Sequence, residues 1–180
     1  MKEVRVALVG FGNVGKALLR LLETKQEVLR STYGFQTRVT GIATLHHGIA
    51  IDPKGIDSSA ALHALEIAGS LSTLSTVSPP VSVMDFIKEV PADVLFENSP
   101  VNHQTGQPAA DHLQLALQRG MHAITANKGP VVHAYQSLNA LAREKGVRFL
   151  FESAVMDGAP IFSLFRGALP AVDLKGFYGI

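Results

Sequence analysis

Six residues near the start of the chain, Gly10-Phe11-Gly12-Asn13-Val14-Gly15, constrain its fold more than any other feature. Before them stands an apolar run, Val4, Val6, Ala7, Leu8 and Val9, with the composition of a parallel strand buried on both faces. After them Val14, Ala17, Leu18, Leu21, Leu22, Val28 and Leu29 recur at helical spacing and predict one long amphipathic helix from Val14 to Arg30. A G-x-G-x-x-G turn gains meaning from that context, because a strand feeding a helix N-terminus is what a dinucleotide needs. Gly10 permits the tight turn, Gly12 lets the backbone approach a pyrophosphate, and Gly15 lets helix and strand pack closely. Free N–H groups and the helix dipole then favour the phosphates. The bland alternative is a glycine turn that binds nothing.

The remaining chain repeats the strand–helix alternation. Arg38 to Thr44 is expected as the second strand and Leu45 to Asp57 as a loop. Ser58 or Ser59 is placed to cap a short helix through Leu62, Leu65 and Ile67. Gly69 to Pro80, rich in Ser, Thr, Gly and Pro, reads as loop, and Val83 to Val90 as a short helix. Three further strands are expected at Ala92 to Glu97, His122 to Thr125 and Val147 to Glu152. Helices are expected at Ala109 to Gly120 and Val131 to Lys145, the second closed by Gly146. Such alternation means βαβ units and a mostly parallel sheet. The expected class is therefore α/β, a Rossmann-type doubly wound parallel sheet over residues 1–155. Residues 156–180 behave differently, with a helix expected at Ile161 to Leu169 and a strand at Val172 to Ile180 that ends without turn or cap. They read as the truncated start of a second, α+β domain.

Composition narrows the function classes. A chain of 180 residues can bury one sizeable core. The net charge of +1, with no basic block, argues against nucleic acid and anionic membrane surfaces as partners. Absence of cysteine removes disulfides, thiolate nucleophiles and thiolate metal sites. No apolar run approaches the roughly 20 residues of a membrane span. The amino terminus lacks a secretory pattern, so a cytoplasmic protein is expected.

Candidate site residues cluster at the expected carboxyl ends of strands, where open α/β sheets bind ligands. An acidic residue after the second strand would bind the adenosine ribose of NAD, but this chain has Ala43-Thr44-Leu45-His46-His47. Nothing there repels a 2′-phosphate, so Thr44 and His46, with His47 or Lys54, are candidates for the adenosine end of NADP or NAD. No arginine stands ready to specify NADP, and the same residues suit a solvated loop. Glu97-Asn98-Ser99-Pro100-Val101-Asn102 follows a strand directly, which puts Asn98, Ser99 and Pro100 in reach of a nicotinamide, although these residue types also suit a plain turn. Thr125-Ala126-Asn127-Lys128-Gly129-Pro130 has the same placement. Lys128 there is suited to hold a negatively charged substrate group or lend charge to a reacting oxygen. Glu152 and Asp157, in a glycine-containing turn with exposed carbonyls, form a candidate oxygen site for a hard cation.

In this order, Gly10 to Gly15, Asn98 to Pro100 with Gly106, Thr125 to Pro130 and Glu152 to Pro160 resemble the N-terminal half of homoserine dehydrogenase. The resemblance spans essentially the whole chain. The Ala126 to Pro130 and Glu152 to Pro160 stretches are its more specific parts. It implies interconversion of L-homoserine and L-aspartate semialdehyde with NAD or NADP, on the route to threonine and methionine. By that resemblance Phe11, Asn13 and Val14 contact cofactor, Ser99 lies near the nicotinamide, and Lys128 stands at the junction of cofactor and substrate. Glu152, Val155, Asp157 and Ala159 match positions that hold a sodium ion, mostly through carbonyls. Asp157 stands where the family more often has Gly or Ala. The resemblance also implies a homodimer formed by a second domain, which carries the remaining catalytic groups and is expected to be missing. Two rival readings are a non-catalytic nucleotide-binding module that docks on a partner, and a dehydrogenase for a related amino acid or semialdehyde.

Overall fold

The computed structural model describes residues 1–156, 158–169, 171–173, 175, 176 and 178. Six strands form one sheet: β1 (Lys2–Val9), β2 (Phe35–Ala43), β3 (Ile49–Ile51), β4 (Val94–Glu97), β5 (His122–Thr125) and β6 (Phe149–Leu150). Their spatial order is β3-β2-β1-β4-β5-β6, and every pairing is parallel except that of β2 with β3. The helices are α1 (Asn13–Thr24), α2 (Gln26–Tyr33), α3 (Ser58–Ile67), α4 (Val83–Glu89), α5 (Ala109–Gln118), α6 (Lys128–His133), α7 (Tyr135–Glu144) and α8 (Ile161–Ser163). This is the doubly wound α/β sheet that the strand–helix alternation predicts.

Helices cover both faces, and the pleat of β1 divides its side chains between two cores. Val6 and Leu8 pack with Phe11, Leu19, Val39 and Ile42 on one face. Ala7 and Val9 pack with Phe86, Leu95, Leu113 and Leu117 on the other. Burial on both sides is why the strand reads as a continuous apolar run. Gly41 of β2 lets α4 close on the sheet, since a Cβ there would stand 2.6 Å from both Phe86 and Val90 side chains.

Several elements differ from expectation for local reasons. The helix expected from Val14 to Arg30 is two helices that break at Lys25. Gln26 opens α2 by docking on β2: its Nε2 donates to the Thr37 carbonyl at 2.8 Å, and its Oε1 accepts the Thr37 N–H at 3.2 Å. Gly34, at a φ of 74°, ends that helix. The expected loop from Leu45 contains β3, whose three residues Ile49, Ala50 and Ile51 are all buried but too few to show a period. The cap of α3 is Asp57 and not Ser58 or Ser59. Its carboxylate accepts the Ala60 N–H and the Ser59 hydroxyl, each at 2.7 Å. These bonds hold it below the usual carboxylate range, the Ala60 N–H acting most strongly. The helix expected from Val131 to Lys145 begins earlier, at Lys128, and breaks at Ala134, where φ is −133°.

At the far end β6 is shorter than the expected Val147 to Glu152. The Val147 N–H is taken by Ala142 in the turn after α7, and Glu152 opens a 3₁₀ turn. The tail helix is α8 followed by a π-helical turn from Leu164 to Ala168. Of the strand expected at Val172 to Ile180, the described residues adopt no strand, and Leu174, Phe177, Gly179 and Ile180 lie outside the described residues. Among the described residues, no helix is long and apolar enough to cross a membrane.

Candidate functional site

At the carboxyl edge the strand order reverses between β1 and β4, since the chain runs outward from β1 to β2 and later returns beside it. Such a switch point opens a crevice. The three motif glycines meet different demands there. Gly10 has a φ of 87°, and a Cβ on it would stand 2.7 Å from the Ser99 nitrogen, so it lets the β1 turn touch the loop after β4. A Cβ on Gly15 would stand 2.6 Å from the Gly10 carbonyl oxygen. Gly12 has open space where its Cβ would be, so nothing among the described residues requires a glycine at that position. It is the N-cap of α1, which has neither a side-chain cap nor an acidic residue in its first turn. The leading N–H groups of α1 are thereby left to solvent or a ligand. Asn13 and Val14 are exposed beside them, while the Phe11 ring is buried in the core.

On one side of the crevice the β2–β3 hairpin forms a rim. Thr44 fastens it: its N–H and hydroxyl both donate to the Gly48 carbonyl, at 3.1 and 2.9 Å, and its Oγ1 accepts the His47 N–H at 2.8 Å. Leu45 and His46 are exposed at the tip, whereas the His47 ring is engaged with the Gly69 carbonyl at 3.0 Å. Lys54 is not brought to this rim. Its carbonyl meets Arg38 at 2.5 Å, beyond the far end of β3.

On the other side the loops after β4 and β5 are joined by buried polar groups. The Glu97 carboxylate, fully buried, accepts the Ser99 N–H at 3.1 Å and, through a short bond, the Ser99 hydroxyl. Thr125 donates its hydroxyl to Glu97 and accepts the Asn127 N–H at 3.0 Å. Asn127 donates to the Ser99 carbonyl at 3.1 Å and accepts the Gly129 N–H at 3.0 Å, capping α6. Gly106 and Gly129 press the two loops together, a Cβ on Gly129 standing 2.8 Å from the Gly106 Cα. Lys128 is exposed at the start of α6 and, among the described residues, forms no ion pair. Asn98 and Ser99 are half-buried and Pro100 is exposed. Sequence reasoning passed over Glu97, Thr125 and His112 as functional groups. The signal for Glu97 was a carboxylate that ends an apolar strand at a position where alternation points inward.

The remaining candidates lie apart, after β6. The Glu152 carboxylate accepts the N–H groups of Phe162 and Ser163, at 2.9 and 3.1 Å, and the Ser163 hydroxyl at 2.9 Å. It thus serves the start of the tail helix. The Ala159 carbonyl accepts the Ile161 N–H at 2.8 Å, and Val155 is half-buried. Asp157 lies outside the described residues. Among those described, no three His, Asp or Glu side chains gather as metal ligands.

Comparison with known proteins agrees with this geometry. Residues 10–152 match the family described as homoserine dehydrogenase, NAD binding domain. The NAD(+)-dependent homoserine dehydrogenase of Pseudomonas canavaninivorans is 33% identical over 180 residues, covering 100% of this chain and 51% of that protein. The homoserine dehydrogenase of Methanocaldococcus jannaschii is 34% identical over 97% of this chain and 52% of its own length. A hyperthermophilic archaeal homoserine dehydrogenase mutant, solved in complex with NADPH, superposes with a TM-score of 0.78 at 27% identity, covering 94% of this chain and 50% of that one. The chain thus spans about half the length of the relatives it matches. It belongs to the family of homoserine dehydrogenase NAD-binding domains.

Proposed function

We propose that this chain is the cofactor-holding half of a homoserine dehydrogenase, and that it binds NADP or NAD across the carboxyl edge of its sheet. Gly12 carries the proposal, because the space left by its missing side chain opens at the uncapped start of α1. A pyrophosphate fits that space and the free N–H groups around it. Gly10, Phe11, Gly12, Asn13, Val14 and Gly15 then form the phosphate turn, with Thr44 and His46 at the adenosine end. Asn98, Ser99, Pro100, Asn127 and Lys128 face the nicotinamide end. No carboxylate stands at the hairpin tip to turn away a 2′-phosphate.

The nicotinamide supplies the hydride when bound. Lys128, a catalytic residue on this reading, holds the substrate at the edge and lends its charge to the developing oxygen anion of L-aspartate semialdehyde, with L-homoserine as the reduced product. Residues 1–155 form the cofactor domain, and 156–180 begin a second domain that supplies the remaining groups and the contacts of a homodimer. Glu152, Val155, Asp157 and Ala159 would hold a sodium ion beside it. A biosynthetic enzyme of this kind works in the cytoplasm. We expect calorimetric titration of the 180-residue chain to show saturable binding of NADPH or NADH, abolished in Gly12→Val. Absence of binding by either nucleotide would sink the reading. Binding without reduction of aspartate semialdehyde is the expected behaviour of the chain alone. Binding without turnover by a protein carrying both halves would support a non-catalytic module.

A further inference from the structure

Glu97 is a fully buried carboxylate at the end of the central strand β4, an expensive group to place there. Apolar residues of similar size commonly stabilise such a place as well or better, so its presence points away from stability alone. Both of its side-chain oxygens face hydrogen-bond donors. The Ser99 N–H and hydroxyl reach Oε1, and the Thr125 hydroxyl is shared between Oε2 at 3.2 Å and the Glu97 main-chain carbonyl at 3.0 Å. His112 of α5 lies beneath, its Nδ1 3.6 Å from Oε1 and buried without a hydrogen-bond partner. Among the described residues it is the one group able to carry positive charge within 4.0 Å of that carboxylate.

The bonds close a ring. Ser99 leads from Glu97 to Asn127 through its carbonyl, Asn127 leads to Thr125 through its N–H, and Thr125 returns to Glu97 through its hydroxyl. Asn127 also sets the first turn of α6, where Lys128 stands. The two loops fixed in this way are those that a doubly wound sheet presents to the second half of a dinucleotide. We propose that Glu97 is a positioning residue, holding Ser99 and, through Thr125 and Asn127, Lys128 against the nicotinamide end of the bound cofactor. The proposal rests on the cofactor reading given above.

The emission lifetime of bound NADPH tests it, and no tryptophan in the chain obscures the nicotinamide signal. Wild-type chain should lengthen that lifetime relative to free NADPH. Glu97→Gln, which replaces one acceptor oxygen of the carboxylate by an amide N–H₂, should bring it back toward the free value. The dissociation constant should stay within about threefold of wild type, because the phosphate turn is untouched. Thr125→Val should reproduce the effect with shape preserved, and Thr125→Ser, which keeps the hydroxyl, should restore the wild-type lifetime. If Glu97→Gln fails to fold, judged by circular dichroism, the threonine pair decides alone. Unchanged lifetimes in Glu97→Gln or Thr125→Val at wild-type affinity would overturn the proposal. So would a wild-type complex with the lifetime of free NADPH. A chain that binds only NADH is tested with NADH in the same way, and absence of binding by both nucleotides would instead overturn the cofactor reading itself, before any variant is made.

Discussion

On the β1–β2 side of the carboxyl edge the chain offers a ligand backbone N–H groups, open space at Gly12 and the exposed tip of a hairpin. On the β4–β5 side the groups on offer hang from a ring of buried side chains, Glu97, Thr125 and Asn127. The first arrangement suits a pyrophosphate, which every dinucleotide carries in the same form and which main-chain donors can satisfy. The second suits a reacting ring, whose placement tolerates little error and needs supports that do not move. The two halves touch at Gly10, against the backbone of Asn98 and Ser99. A substitution at that contact should damage both, whereas one at Gly12 should damage ligand binding alone.

Gly10→Ala is therefore the most disruptive single change expected. Alanine at a φ of 87° costs energy by itself, and its Cβ would collide with main chain that cannot step aside. Urea unfolding should register a loss of roughly 2–4 kcal/mol, with cofactor binding impaired in what remains folded. A variant as stable as wild type would mean that the two loops do not lean on each other. Gly12→Val sharpens the contrast from the other direction. None of the described residues lies within 4 Å of the new Cβ, and φ is an ordinary −78°. Affinity for NADPH should fall by about 100-fold or more, with the melting temperature within about 2 °C of wild type. Loss of stability in step with affinity would show that this glycine serves the fold.

The same contrast explains what the sequence disclosed. The phosphate side was legible because its determinants are local: an apolar strand, three glycines and an amphipathic helix lie within one short stretch. The sheet's alternation was legible for the same reason. Glu97, Thr125 and His112 come from three separate elements, and only the packing of β4, β5 and α5 brings them together. No spacing rule announces such a ring. Other misses share that origin. The breaks at Lys25 and Ala134 interrupt patterns that are helical throughout, and β3 is a strand by virtue of its partner and not of its three residues. Asp57 shows the reverse error, since a cap was expected nearby and a carboxylate one residue earlier took the place of the serines.

That cap serves as a control behind the phosphate side, because α3 packs on α1 and its start lies beside the middle of β2, where the Ile56 N–H meets the Val39 carbonyl at 2.7 Å. Asp57→Ala should cost about 1 kcal/mol with cofactor affinity unchanged. The folded carboxyl lies below its ordinary value of 3.8, so the unfolded chain binds more protons in that window. Stability from the cap is present above that ordinary value and is lost as pH falls through the folded one. Wild type and variant should then converge in acid. A gap that persists at the lowest pH would point to packing and not to the charge.

The smallest expected effect tests whether the buried ring is self-contained. Asp93 precedes β4 at the end opposite Glu97 and holds Arg5 of β1 by two guanidinium bonds, at 2.6 and 3.1 Å, and by the Arg5 backbone N–H at 2.8 Å. The Arg5 side chain above all keeps the Asp93 carboxyl below its ordinary range. Both side chains are about two-fifths exposed, so the pair is worth less than about 1 kcal/mol and weakens with salt. Asn in place of Asp keeps an acceptor for the N–H and loses the charge. Asp93→Asn should lower the urea midpoint slightly at neutral pH, and the difference should vanish as acid protonates the wild-type carboxyl below its depressed value. NADPH affinity and nicotinamide lifetime should both stay at wild-type values, because the strand between the two carboxylates is fixed by its neighbours on both sides. A shortened lifetime would mean that the ring takes its position from the whole of β4, and that the carboxyl edge cannot be understood apart from the opposite end of the sheet.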